Sequence, residues 1–408
     1  MADYSQYQGP NPEWEAFTRT STISPVGLSP GESLSNYRAS RNKVRETISK
    51  REMETEGRLP HFFLPTVTYA RLSFAMTVQL SYTINISIQH NITPFQYLVA
   101  PNKELGLLEK VYWEDNEIST RDQCTIPVRI YKPKNIAPST KLPVYLFFHG
   151  GGYMFGSLDT EDANCSRVIA LSTFPLIVVH ANYRHTPEYK YPIPHCDAYD
   201  AFLWLDKNID SLGGDREKLI VGGISAGAGL AASVVLRARQ ATSPPDNDLK
   251  IVGQLLMIPW LIPTRKYPFH LLASKDRSSY FQNIEAPVLP ETQMKLFTNL
   301  LGAPDTELID EKLCPSLAPD ENLKSTPKTV VVAAGMDPLR DEALLYADRL
   351  QTVGVPTDVH VFPGLPHGFR RFKELQASRR WDEVITEGLR WCLSDNCTSS
   401  LKLELPPS

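Results

Sequence analysis

Leu219-Ile220-Val221-Gly222-Gly223-Ile224-Ser225-Ala226-Gly227 is an apolar run that stops on a G-x-S-x-G pattern, and the helix-forming stretch 226–240 follows at once. A strand that turns through small residues into a helix lifts the serine Oγ above the sheet edge, because the turn is strained and the chain passes close to its neighbours. The N–H groups and positive dipole end of the following helix favour an oxyanion beside that hydroxyl. In a chain with 22 glycines the pattern alone is only suggestive, and an ordinary glycine-rich turn is the alternative. Its place between strand and helix is what marks Ser225 as a nucleophile.

The same rhythm extends in both directions from this turn. From Val111 onward, short β-rich runs alternate with helical stretches, as in a mostly parallel sheet covered by helices. Strands are expected at 125–131, 143–148, 176–180, 219–222, 251–258, 329–334 and 358–362, with helices at 159–171, 195–209, 226–240, 341–352 and 378–393. The expected fold is therefore α/β and doubly wound, with helices on both faces of the sheet. Residues 260–304 break the rhythm with prolines and aromatics, as an insertion covering a site would. There is no internal repeat.

Three further stretches give Ser225 the partners that its chemistry requires. The strand 143–148 runs into His149-Gly150-Gly151-Gly152-Tyr153, where successive glycines let backbone amides turn toward a small anionic atom. Alone this is a phosphate loop or a tight turn; ahead of a serine elbow it reads better as an oxyanion hole. A hydroxyl needs a base, and the base needs an acceptor to fix its tautomer. Of nine histidines, His367 lies in a turn, Pro363-Gly364-Leu365-Pro366-His367-Gly368-Phe369, directly after a strand. The acid is assigned to Asp337, just past the strand 329–334; Asp341 is second choice and is expected to cap the helix that starts there. The order Ser225, Asp337, His367 is that of α/β-hydrolases. His149 is expected to fix its loop by hydrogen bonds. His180, His185 and His195 lack the spacing or carboxylates of a metal site, so no metal is expected.

Composition removes other function classes. The 408 residues suffice for one large domain with insertions or for two medium ones. Forty-two basic against 46 acidic residues give a net charge of −4, without the basic runs that nucleic acid attracts. Six cysteines are too sparse for a disulfide scaffold and read as mostly free thiols. The N-terminal residues carry no basic stretch leading into an apolar run, so a cytoplasmic address is expected. The uncharged segment between Arg71 and Lys103 is interrupted throughout by polar residues, which argues against membrane insertion. Within it residues 77–89 alternate strictly, a period-two signal for a strand, although that length leaves a tertiary-held helix open. Residues 1 to about 30 are expected as a loosely ordered arm, and 33–57 as a solvated amphipathic helix.

The chain resembles the hormone-sensitive-lipase family of α/β-hydrolases, which includes carboxylesterases and arylacetamide deacetylases. Four blocks carry the resemblance in order: His149 to Gly152, Tyr183-Arg184-His185-Thr186-Pro187-Glu188, Gly223 to Gly227, and Asp337-Pro338-Leu339-Arg340-Asp341-Glu342 with His367-Gly368-Phe369. The similarity spans roughly residues 110–393. It implies Ser225 as nucleophile, His367 as base then acid, Asp337 as its orienter, and the N–H groups of Gly151, Gly152 and Ala226 as oxyanion donors. It also implies an architectural ion pair involving Arg184 and Glu188, and a cap formed by residues 1–109 and 260–304 on a catalytic domain spanning 110–408. Two departures stand out: Ile224 where the family carries Asp, and Ala228 where it carries Gly. An apolar group beside the nucleophile reshapes the pocket floor and removes a charge.

The expected function is hydrolysis of a small to medium hydrophobic ester through an acyl-enzyme, without a cofactor. Tyr153, Ile224, Trp260, Leu339 and Phe369 are the candidate pocket wall. Two alternatives stay open. One is a non-hydrolytic reaction on this fold (elimination, cyclisation or acyl transfer); the other is a ligand-binding receptor, against which His367 speaks. A homodimer is compatible with the sequence.

Overall fold

A computed structural model describes residues 1–21, 38, 39, 42, 106–137, 139–240, 249–305 and 308–405. Its centre is a nine-stranded sheet of β1 (Val111–Ser119), β2 (Thr125–Pro133), β3 (Leu142–Phe148), β4 (Ile177–Ala181), β5 (Gly214–Ile224), β6 (Ile251–Met257), β7 (Lys328–Met336), β8 (Thr357–Pro366) and β9 (Ser400–Leu403). The spatial order is β1-β2-β4-β3-β5-β6-β7-β8-β9. Pairing is antiparallel from β1 to β2 and from β2 to β4, and parallel everywhere else. The doubly wound α/β fold expected from the sequence is present.

Period-two alternation explains why the central strands are apolar at almost every position. Val144, Leu146 and Phe148 of β3 enter one core, whereas Tyr145 and Phe147 enter the core on the opposite face. The first face is covered by α3 (Ile193–Asn208), α4 (Ala226–Gln240) and α6 (Arg340–Thr352). The second is covered by α2 (Asp162–Leu171) and α7 (Gln376–Leu393). The insertion after β6 carries α5 (Glu291–Leu301) and short helical turns.

The first residues depart from the expected loose arm. A helix, α1 (Pro12–Thr20), starts on an Asn11 side chain that accepts the Trp14 N–H at 3.0 Å. Trp14 is buried against Phe17 and Phe372, with ring centroids 5.6 and 5.4 Å away. The signal was present as Asn-Pro-Glu: an N-cap, proline at the first helical position and an acid in the first turn. Of the expected helix at 33–57 only residues 38, 39 and 42 are described, each in helical conformation, and the alternating run at 77–89 lies outside the described residues. All six cysteines are unpaired thiols, and among the described residues no helix is long and apolar enough to cross a membrane.

The edge strands β1 and β9 were not legible. β1 exposes Glu114 to Glu117 and β9 is largely exposed, so neither shows an apolar run. β9 is held by charge instead. His360 of β8 places Nδ1 2.6 Å from Glu404 and Nε2 3.1 Å from Asp358, which also receives Lys402 Nζ at 3.1 Å. Burial opposes ionisation of all three groups, but these contacts outweigh it: Asp358 and Glu404 are pushed down to about 2, and His360 is held above its ordinary value of 6.5. A raised histidine stabilises fully below its unfolded pKa and loses that contribution as pH climbs through the folded value. The depressed acids stabilise above the ordinary carboxylate range and lose that contribution as pH falls toward 2. The urea midpoint is therefore expected to be highest between about pH 4.5 and 6.5 and to decline above it. His360→Gln should flatten the alkaline decline, and a wild-type midpoint constant from neutral to alkaline pH would contradict this assignment.

Candidate active site

Ser225 sits where β5 turns into α4, at φ +56°, a left-handed conformation that a serine adopts only under constraint. The constraint is visible in its backbone. The Ser225 N–H donates to Met257 O at 2.8 Å, and its carbonyl accepts from Ala228 and Trp260 at 3.0 and 3.1 Å. The flanking glycines are steric necessities. A Cβ on Gly223 would stand 2.4 Å from Gly227 O, and one on Gly227 would stand 2.1 Å from Phe148 O.

The C-terminal ends of three parallel strands meet here, as crevices in open α/β sheets do. His367, just beyond β8, brings Nε2 to 3.1 Å from Ser225 Oγ, and its Nδ1 lies 2.7 Å from Asp337 Oδ2, just beyond β7. An ionised carboxylate only accepts, so Nδ1 carries the proton and Nε2 is left to accept from the serine hydroxyl. The other Asp337 oxygen accepts the Leu339 N–H at 2.9 Å. All three side chains are buried. Asp341 is elsewhere. Its carboxylate accepts the Ser279 N–H at 2.7 Å and faces Arg340 Nε at 2.8 Å, so it neither approaches His367 nor caps its own helix as expected.

The N-terminal segment braces both loops from behind. Asn11 Nδ2 donates to Pro363 O at 3.0 Å, and the fully buried Arg340 donates from Nη1 to Gln8 Oε1 and to Gly335 O, both at 3.0 Å. Gly335 is so close to this segment that a Cβ there would lie 1.9 Å from Tyr7 O.

The glycine loop after β3 lies across from the serine. Gly150, Gly151 and Gly152 line the same cavity as Ser225 and His367, and Ala226 opens α4 beside them. Gly151 has φ +126° and Gly152 φ +61°; a Cβ on the latter would strike the Phe297 ring at 2.3 Å. His149 is buried, with Nδ1 2.8 Å from Gly150 O and Nε2 2.9 Å from the Asn182 side chain, while Tyr183 Oη donates to its carbonyl at 2.9 Å. These contacts hold the loop, in the role expected for His149.

The cavity measures about 80 Å³. Of the five expected wall residues, Ile224, Trp260 and Leu339 line it, and Tyr153 and Phe369 do not. Tyr153 is buried between Trp260 and His195, and Phe369 packs on Phe362 and Trp381 as ordinary core. The sequence reading missed Ile258, Leu289, Met294 and Phe297. The last two sit on α5 with Gln293 and Thr298 buried beside them, an amphipathic pattern inside the proline-broken insertion. Trp260 is fixed through its neighbours: the N–H groups of Leu261 and Ile262 donate to Glu342 Oε1 at 2.5 and 3.1 Å. Complete burial holds the Glu342 carboxyl well above the usual range, against those hydrogen bonds.

Arg184 and Glu188 do not pair with each other. Arg184 binds Asp197 and Asp122, with Nη2–Oδ1 2.6 Å and Nη1–Oδ2 2.8 Å, whereas Glu188 binds Arg38. Spacing along the chain cannot reveal partners that arrive from other elements. His195 is pushed down to about 3 by burial and stacks on Tyr153. Among the described residues no three His, Cys, Asp or Glu side chains converge as a metal centre.

Comparison with known proteins adds an independent line. A family described as "alpha/beta hydrolase fold" matches residues 145–371. The chain is 33% identical to an arylesterase of Saccharolobus solfataricus over 72% of its length and 92% of that protein. It is 35% identical to the esterase LipI of Mycobacterium tuberculosis over 60% of its length and 71% of the relative. Among solved structures, vibralactone cyclase superposes with a TM-score of 0.72 at 22% identity, covering 95% of each chain, a likeness of fold.

Proposed function

Because the chain belongs to this α/β-hydrolase family, of the hormone-sensitive-lipase-like carboxylesterase type, we propose that it is a carboxylic-ester hydrolase working through Ser225, His367 and Asp337. The observation that carries the reading is the unbroken chain from Ser225 Oγ through His367 to Asp337, at 3.1 and 2.7 Å, beside a glycine loop. Ser225 Oγ attacks the ester carbonyl carbon while His367 Nε2 takes the hydroxyl proton. The developing oxyanion lies toward the N–H groups of Gly151, Gly152 and Ala226. His367 returns the proton to the departing alcohol, leaving an acyl-enzyme. Water, deprotonated by the same nitrogen, then attacks the acyl carbon, the bond to Ser225 Oγ breaks as His367 returns the proton to that oxygen, and the acid leaves. Asp337 keeps the imidazole in the tautomer this requires and stabilises the imidazolium. No cofactor is needed in any step.

Ile258, Leu289, Met294, Phe297 and Leu339 make the cavity largely apolar, which suits a small to medium hydrophobic ester. Residues 260–304 act as part of a cap, supplying Leu289, Met294 and Phe297 from above the sheet edge. The unpaired thiols fit a cytoplasmic address.

The test is hydrolysis of p-nitrophenyl esters of graded acyl length by the purified protein, with an organophosphate probe mapped by mass spectrometry. Turnover is expected, along with stoichiometric labelling of the peptide that contains Ser225. A folded protein that leaves every ester intact and escapes the probe overturns the reading, and tight binding without turnover would point to a receptor.

A further inference from the structure

Ile224 faces two spaces. Besides the cavity over Ser225, it lines a second one of about 50 Å³ between α2 and α7, several times the volume a single water needs. Glu161, Asn164 and Arg370 also border both, so the two cavities share a mouth beside the nucleophile. Beyond this mouth the walls are Phe147, Cys165 and Val168 on one side and Trp381 and Ile385 on the other. Asn164 and Val168, like Trp381 and Ile385, are four residues apart on their helices and share a face, giving a path that leads away from Ser225 between mostly apolar walls, with Arg167 and Asp382 also on its border. An isoleucine at 224 keeps the wall of the mouth next to the nucleophile apolar, at the position where the resembled family carries Asp.

The mouth also holds a buried donor. Arg370 directs Nε and Nη2 to the two oxygens of Asp382, both at 2.6 Å, while its Nη1 is buried with no acceptor among the described residues. Leaving a buried charged donor unmet is costly, so the position favours a ligand oxygen. Resting on the ester-hydrolase reading, we propose that the substrate carries an aliphatic arm that passes Ile224 into the space between α2 and α7, with an oxygen on that arm meeting Arg370 Nη1.

The experiment compares kcat/KM across two ester series, one lengthened on the acyl side and one on the alcohol side, each with plain and keto-substituted chains. In one series the longer arm is expected to raise kcat/KM about tenfold or more, and Val168→Trp should abolish that gain while holding acetate turnover within about twofold. Ile224→Asp should penalise long esters more than short ones. The keto chain should outperform the plain one, and Arg370→Lys, which keeps a cation for Asp382, should erase that preference. No gain with length in either series, or a gain that survives Val168→Trp, overturns the proposal. A keto chain no better than a plain one overturns the contact with Arg370. If acetate itself is not hydrolysed, the ester-hydrolase reading fails instead. The groove is then tested separately by calorimetric binding of the long keto acid to wild type, which Val168→Trp should abolish; equal binding by both proteins overturns it.

Discussion

Ser225→Ala is expected to lower kcat on p-nitrophenyl butyrate by roughly four to six orders of magnitude, down to what an oxyanion site and binding alone supply. The size follows from the serine's position in the chain of contacts. On the proposed mechanism, removing Oγ deletes the attacking atom and leaves His367 Nε2 with no hydroxyl to activate. Fold stability should hardly change. The lost interaction is one neutral hydrogen bond at 3.1 Å, worth about 1 kcal/mol. The left-handed backbone at 225 is maintained by hydrogen bonds to Met257, Ala228 and Trp260 that an alanine also makes. Near-UV circular dichroism and the thermal midpoint should therefore match wild type. Retention of turnover within about tenfold would remove Ser225 from the nucleophile's role.

The difference between what the sequence reveals and what it hides follows from burial. β3 to β8 are covered on both faces, so their side chains are forced to be apolar and the runs are visible without a structure. β1 and β9 are edges with exposed faces, and their charged residues hide the strand. Residues around the serine were legible for a second reason: Gly223, Gly227, Gly151 and Gly152 stand where any Cβ would collide, so the close packing leaves a mark in residue type. The pocket wall leaves no comparable mark. Leu289, Met294 and Phe297 are ordinary apolar residues whose meaning depends on where the insertion folds, and Tyr153 and Phe369 look the same as wall residues while serving as core. The bracing of the Asp337 and His367 loops by Gln8 and Asn11 was equally hidden, since it joins segments more than 300 residues apart in the chain. The close approaches at Gly335 and Gly364 betray it, and they too are contacts made by tertiary structure.

Two aspartates four residues apart in the chain compete for the same role in the sequence, and their substitution is expected to separate activity from stability. Asp337→Asn should reduce kcat by about 10³- to 10⁴-fold with little change in stability, because an amide in place of the carboxylate no longer fixes the Nδ1–H tautomer or stabilises the imidazolium. The Asn oxygen can still accept the Leu339 N–H, which Asp337 Oδ1 receives at 2.9 Å, so the local turn survives. Asp341→Asn should behave in the opposite way. Its carboxylate is buried against the guanidinium of the fully buried Arg340, whose remaining acceptors, on Gln8, Gln282 and Gly335, are all neutral. Removing the charge leaves a buried cation uncompensated, which is expected to cost about 3–5 kcal/mol of stability. The kcat of the molecules still folded should stay within about tenfold of wild type, because no atom of Asp341 bonds to His367. Urea unfolding and initial rates measured on the same preparations distinguish the two. A loss of kcat in Asp341→Asn as large as in Asp337→Asn, at temperatures where both proteins are folded, would return the acid's role to Asp341. It would also mean that the contact between His367 and Asp337 does not carry the proton inventory of the reaction.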